Sequence, residues 1–134
     1  MRLTRRYHFA ASHRLNTDAL SAEENARLYG KCNHPFGHGH DYVLDVTAEG
    51  APDASGQVVN REAMDALVNT QVLAHLDHRN LNVDVPALAG RVPTTENLAF
   101  AVEGMLRERW TLPARLAHVR VYETPRNRFD LEIK

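Results

Sequence analysis

From His38 onward the side chains sort by parity. His38, His40, Tyr42, Leu44 and Val46 fall on one side and Asp41, Val43, Asp45 and Thr47 on the other, until Gly50, Pro52 and Gly56 mark a turn. A period of two belongs to a β-strand with one face turned toward a core, because successive side chains on an extended backbone point in opposite directions. Tyr7, Phe9, Ala11 and His13 repeat the pattern against His8, Ala10 and Ser12, which puts His13 at the end of an inner face. Two strands of this kind need a cover for their apolar side, and the later sequence supplies one.

Asn60 can cap a helix in which Met64, Leu67, Val68 and Val72 recur at three- and four-residue spacings. Thr94 or Thr95 can cap another, with Glu96 in its first turn and Leu98, Val102, Met105 and Leu106 as its apolar stripe. Between them, Asn80 to Pro93 reads as an irregular connection. Ser21 and Glu24 form a capping-box pattern that opens a short inserted helix through Arg27 and Leu28, closed by Gly30. Val119, Val121 and Glu123 alternate with His118, Arg120 and Tyr122. Phe129, Leu131 and Ile133 alternate after Pro125-Arg126-Asn127, so the chain ends in a hairpin. The expected order is ββααββ, an α+β fold of two helices on one face of a four-stranded antiparallel sheet, in a single domain spanning all 134 residues. Its other face and its edges call for cover by further subunits.

A formal charge of −1 with interleaved acids and bases leaves no basic stripe for a phosphate backbone, so nucleic acid is not an expected partner. No stretch is long enough to span a bilayer, and Met1 to Arg6 is not an apolar leader, which sets the expectation of a cytoplasmic protein without a membrane partner. A lone cysteine excludes an internal disulfide, leaving Cys32 as either a small inert residue or a reactive thiolate.

His38 and His40, two residues apart on a strand, can reach one ion, and His13 is the third inward imidazole. Three neutral nitrogens with an open position is the pattern of a catalytic zinc; the alternative is a hydrogen-bonded core histidine beside a His-Gly-His turn. Cys32 lies in a loop rich in Gly, Asn and Pro beside that presumed dication, where positive charge favours a thiolate. Asp77-His78 offers either a carboxylate-oriented proton relay or a helix-ending charge cluster with Arg79. Pro93-Thr94-Thr95-Glu96-Asn97 is chiefly a helix start. Glu123 is either an edge charge or a carboxylate able to pair with a guanidine-like N–C–N edge, which would select pterins or guanines.

Five segments in order, Phe9 to Leu15, Gly30 to Tyr42, Leu76 to Pro86, Thr94 to Asn97 and Val121 to Thr124, give the chain a resemblance over nearly its whole length to one family. These segments resemble the 6-pyruvoyl-tetrahydropterin synthases and their bacterial relatives, the 6-carboxytetrahydropterin synthases of the queuosine pathway. The resemblance implies the tunnelling fold, assembled as trimers that stack into homohexamers with sites at subunit interfaces. It implies zinc on His13, His38 and His40, Cys32 as the base, and Asp77 and His78 as a relay from a neighbouring subunit. Thr94, Thr95 and Glu123 would anchor the pterin. The implied substrate is 7,8-dihydroneopterin triphosphate, with Arg14, Arg27 and Lys31 as candidates for its phosphates and no nicotinamide or flavin required. The spacing from Cys32 to His38 resembles the animal-type pyruvoyl enzymes; the Arg- and Ala-rich, Lys-poor composition, bacterial in character, leaves the carboxy branch, which also releases acetaldehyde, as the alternative. His34 and Phe36 stand where the family pattern suggests asparagines, and His34 is a further potential metal donor. A non-catalytic pterin- or purine-binding zinc module is the reading from another class, disfavoured by the presence of Cys32 and Asp77-His78.

Overall fold

The computed structural model describes residues 1–134. Strand β1 (Arg2–His13) pairs antiparallel with β2 (His38–Glu49) without interruption, from Arg2 opposite Glu49 to His13 opposite His38. Strand β4 (Arg115–Thr124) runs along the other side of β2, and β5 (Asn127–Glu132) folds back on β4. Parity decides the faces as expected. Tyr7, Phe9, Ala11, Tyr42, Leu44, Val46, Val119 and Val121 are all buried on one side of the sheet.

Two helical segments cover that side. Helix α2 (Arg61–Val68) is capped by Asn60, whose side chain accepts from the Ala63 N–H, and it continues through a π turn (Asn69–Leu73) into the single turn α3 (Ala74–Leu76). Met64, Val68, Val72 and Leu76 are fully buried at four-residue intervals. Each such interval overshoots a full α-helical turn by about 40°. The wider π turn rotates less per residue, so it removes the accumulated drift and keeps all four side chains on the sheet. Helix α4 (Thr95–Arg109) starts with Thr94 as its cap and buries Leu98, Val102 and Leu106. The inserted helix α1 (Ala22–Tyr29) has the full Ser21/Glu24 capping box and ends at Gly30, whose φ is +53°.

The four long antiparallel strands are those expected, but the sheet has a fifth member. Arg79–Asn80 forms β3, parallel to Ala11–Ser12, giving the order β3-β1-β2-β4-β5. This pair, which straddles the start of the Asn80–Pro93 segment read as irregular, is too short to show any periodicity. It is held instead by specific bonds: His78 N–H donates to the Ala10 carbonyl, Ala10 N–H to Asp77 Oδ1, and Leu81 N–H to the Ser12 carbonyl. No helix is long and apolar enough to cross a membrane.

The second face of the sheet is polar and internally paired. Arg6 grips Asp45 through two bonds of 2.9 and 3.0 Å, Thr4 meets Thr47 at 2.7 Å, and Arg2 and Arg115 share Glu49. Apart from the short β3 contact, the outer edge of β1 has no strand partner within the chain, and neither has the outer edge of β5.

At the junction of sheet and helix, Asp65 accepts from Arg5 at 2.6 Å and from the Tyr7 hydroxyl at 2.6 Å. The Arg5 guanidinium, with Tyr7 assisting, holds the Asp65 carboxyl below its ordinary value. A carboxyl lowered on folding adds stability above its unfolded pKa of about 3.9, and that stability is lost as pH falls through the folded value. Asp65→Asn is therefore expected to lower the denaturant midpoint at pH 7, with the difference from the parent protein shrinking between pH 5 and pH 3, as urea titrations across that range would record.

Candidate active site

Three strand ends and one loop converge at one end of the apolar face. His13 closes β1, His38 and His40 open β2, and Glu123 lies near the end of β4, one residue past the Tyr122–Val43 pair. The loop carrying Cys32 is fastened to the chain just after β1. Leu15 N–H donates to the Cys32 carbonyl at 2.7 Å, Asn33 Nδ2 to the Leu15 carbonyl at 2.8 Å, and Arg14 Nε to the Asn33 carbonyl at 3.2 Å. Gly37 then turns the chain into β2 with φ of +82°, so close to β1 that a Cβ there would lie 2.9 Å from the His13 carbonyl oxygen.

His13, Cys32, His40 and Glu123 each present one donor atom, all within 4.8 Å of one another. His40 Nε2 is 3.7 Å from Cys32 Sγ and 3.3 Å from Glu123 Oε1. His13 is buried, and its Nδ1 is 2.9 Å from the Pro93 carbonyl oxygen. A carbonyl only accepts, so Nδ1 carries the ring proton and Nε2 the lone pair. That Nε2 is buried with no hydrogen-bond partner. A buried, unsatisfied lone pair is costly, and with sulfur, imidazole and carboxylate donors around it a cation would satisfy it. The residues fit a metal ion.

Electrostatics support neutral imidazoles here. Burial pushes the pKa of His13 and of His40 down, against the raising influence of Glu123. Both rings therefore hold the deprotonated form that ligates metals. Cys32 moves in the other direction: burial raises its thiol and Glu123 adds to the effect. The chain's own charges thus favour the thiol, and the thiolate expected from the sequence depends on the positive charge of an ion beside it.

His38 stands opposite His13 with its ring centroid 4.7 Å from that of His40, but it is exposed and lies outside the four-donor cluster. Thr94 caps α4 by accepting from the Asn97 N–H, and the buried Thr95 donates its hydroxyl to Glu123 Oε2. Asp77 and His78 lie outside the cluster, on the β3 side of β1, where the His78 side chain is 83% exposed and its Nε2 is 3.6 Å from Asp77 Oδ2. His78 lines an open trough together with His40 and Gly39, and it holds φ of +59°, a conformation non-glycine residues seldom adopt. Lys31 lines a groove with His34 and His38, whereas Arg14 donates its Nε to the Asn33 carbonyl and its backbone N–H to Asn82 Oδ1. His34 accepts from the Phe36 N–H and takes no part in the cluster.

Sequence reasoning missed the place of Glu123 beside His40 and two groups against His13, the Pro93 carbonyl and the Tyr42 hydroxyl. Tyr42 left a signal as the next inward residue after His38 and His40, and Glu123 as the next after Val119 and Val121, whereas the Pro93 carbonyl, a backbone group, left none.

The model of the family described as 6-pyruvoyl tetrahydropterin synthase matches residues 2–133. The chain belongs to this family. It is 44% identical over 127 residues to the 6-pyruvoyl tetrahydrobiopterin synthase of Homo sapiens, covering 93% of this chain and 86% of that protein. The Poecilia reticulata protein of the same name is 42% identical, with 93% and 85% covered. The Caenorhabditis elegans 6-pyruvoyl tetrahydropterin synthase structure superposes with a TM-score of 0.92 at 36% identity, over 100% of this chain and 96% of that one. The synthase family fold thus extends over the whole chain, and the convergence of histidines, cysteine and glutamate sits within it.

Gly37→Ala forces a side chain into both a left-handed backbone and the His13 carbonyl. A loss of about 1–3 kcal/mol in unfolding free energy is expected, together with weaker binding of a divalent metal, measured by denaturant titration and by chelator competition.

Proposed function

We propose that the protein converts 7,8-dihydroneopterin triphosphate to 6-pyruvoyl-tetrahydropterin with elimination of triphosphate, as a zinc-dependent carbon–oxygen lyase. The observation that carries this reading is the orphaned Nε2 of His13 beside Cys32 and Glu123, in a chain whose similar relatives bear the name of that synthase.

His13, His38 and His40 would hold the zinc, the three rings standing on one face of two paired strands. When bound, zinc polarises the side-chain hydroxyls of the substrate as a Lewis acid. Glu123 is suited to bind the pterin, because two carboxylate oxygens match two N–H donors of an N–C–N edge. Thr95 restrains that carboxylate from behind, and Thr94 fixes the helix start on which Thr95 stands. Cys32, fastened by its loop next to His40, is the base that removes a proton from the substrate side chain. The proton is returned to the ring as the side chain gives up electrons, so the redox change is internal. Asp77 and His78 serve as the relay that carries protons at this step. Their exposure on a strand edge supports a role across a subunit boundary, delivered to the site of a neighbouring copy.

The open edges of β1 and β5 support an assembly in which sheets join edge to edge into trimers and two trimers stack as a homohexamer. An unpaired cysteine suits a reducing, cytoplasmic location.

Anaerobic incubation of the zinc-loaded protein with 7,8-dihydroneopterin triphosphate, followed by product mass and acetaldehyde detection, tests the reading. Pyruvoyl-tetrahydropterin without acetaldehyde is expected. Carboxy-tetrahydropterin with acetaldehyde would move the protein to the queuosine-type reaction, and absence of turnover would make it a binding module. Cys32→Ala is expected to lower turnover by at least about 100-fold with zinc retained. His38→Ala is expected to lose zinc, as elemental analysis of the purified variants would record.

A further inference from the structure

The groups behind His13 have a role of their own. Its Nδ1 faces two oxygens at once, the Pro93 carbonyl at 2.9 Å and the Tyr42 hydroxyl at 3.3 Å. The carbonyl fixes the proton on Nδ1, so Tyr42 at that distance can only accept a second share of the same N–H. If Tyr42 instead donated to Nδ1, the proton would move to Nε2 and close the lone pair that faces the cluster. Tyr42 cannot turn away: it is fully buried, its ring stacks on Phe9 at 5.0 Å between centroids, and it stands edge-on to His13 and His40.

We infer that Tyr42 and the Pro93 carbonyl form a paired acceptor cradle that locks His13 in the Nδ1–H tautomer and aims Nε2 at the metal, making Tyr42 a positioning residue for the metal centre. The inference deepens the zinc reading above and rests on His13 being a ligand. It also ties that ligand to the pterin clamp, because Pro93 stands two residues before Thr95, the donor to Glu123. Partners of this kind, beyond the ligands themselves, change metal affinity by about 10- to 100-fold when removed.

The test compares the parent protein with Tyr42→Phe, which keeps the ring and deletes the hydroxyl. Zinc affinity is measured by competition with a chromophoric chelator, and the His13 tautomer by nitrogen NMR of the zinc-free protein, assigned with His13→Gln. The expected result is an Nδ1–H tautomer in the parent, a growing Nε2–H fraction in Tyr42→Phe, and zinc binding about tenfold weaker, the lower end of that range because the Pro93 carbonyl remains. An Nε2–H tautomer in the unaltered protein overturns the inference without need of any variant. So does a Tyr42→Phe protein with unchanged tautomer and zinc affinity. Failure of the unaltered protein to bind zinc at all, with an Nδ1–H tautomer present, would instead defeat the zinc reading, and the positioning role with it.

Discussion

The uninterrupted antiparallel register of β1 against β2 is the constraint on which the remainder depends. Twelve residue pairs run from Arg2–Glu49 to His13–His38, and a slip of one residue would exchange the two faces of a strand along its whole length. The apolar and the polar faces differ so strongly that such a slip is prohibited by burial alone. A slip of β1 would carry Arg6 into the core and Phe9 out of it, and a slip of β2 would do the same with Asp45 and Tyr42. The register that protects the core therefore also sets His13, His38 and His40 on one face at one end.

The site grows out of the core without a break. Phe9 and Tyr42 stack, and Tyr42 in turn packs against His13 and His40, so the apolar sheet face passes directly into the imidazole cluster. Burial there lowers the histidines and raises Cys32 for the same physical reason, since low polarity disfavours whichever form is charged. The result is a set of neutral donors around an unsatisfied lone pair. The start of α4 completes it, with the Pro93 carbonyl on one ligand and the Thr95 hydroxyl on Glu123. A helix cap thereby becomes part of a functional site.

Much of the fold was legible because it follows from short-range periodicity. The alternations that include Tyr7 to His13 and His38 to Val46, the Asn60 and Thr94 caps and the Ser21/Glu24 box each express local rules, and each appears where those rules place it. The two-residue β3 was not legible, because it is specified by bonds from Asp77, His78 and Leu81 to β1, residues distant in sequence. The π turn was equally hidden. Four-residue spacing is compatible with an α-helix over any one step, and only the need to keep Met64 through Leu76 on one sheet face selects the wider turn.

Sequence alone determined the chemistry available at the site, since residue types and strand parity put three imidazoles, a thiol and a carboxylate on the inner face or beside it. Tertiary structure decided which of them meet. It drew His13, His40, Cys32 and Glu123 into one cluster, left His38 exposed beside His40, and stationed Asp77 and His78 on a strand edge. It also supplied Pro93 as the partner of His13 across 80 residues of sequence. The division has a physical cause. Parity is a property of adjacent residues, whereas a backbone carbonyl or a carboxylate becomes a partner only when packing of distant elements brings it within hydrogen-bond range.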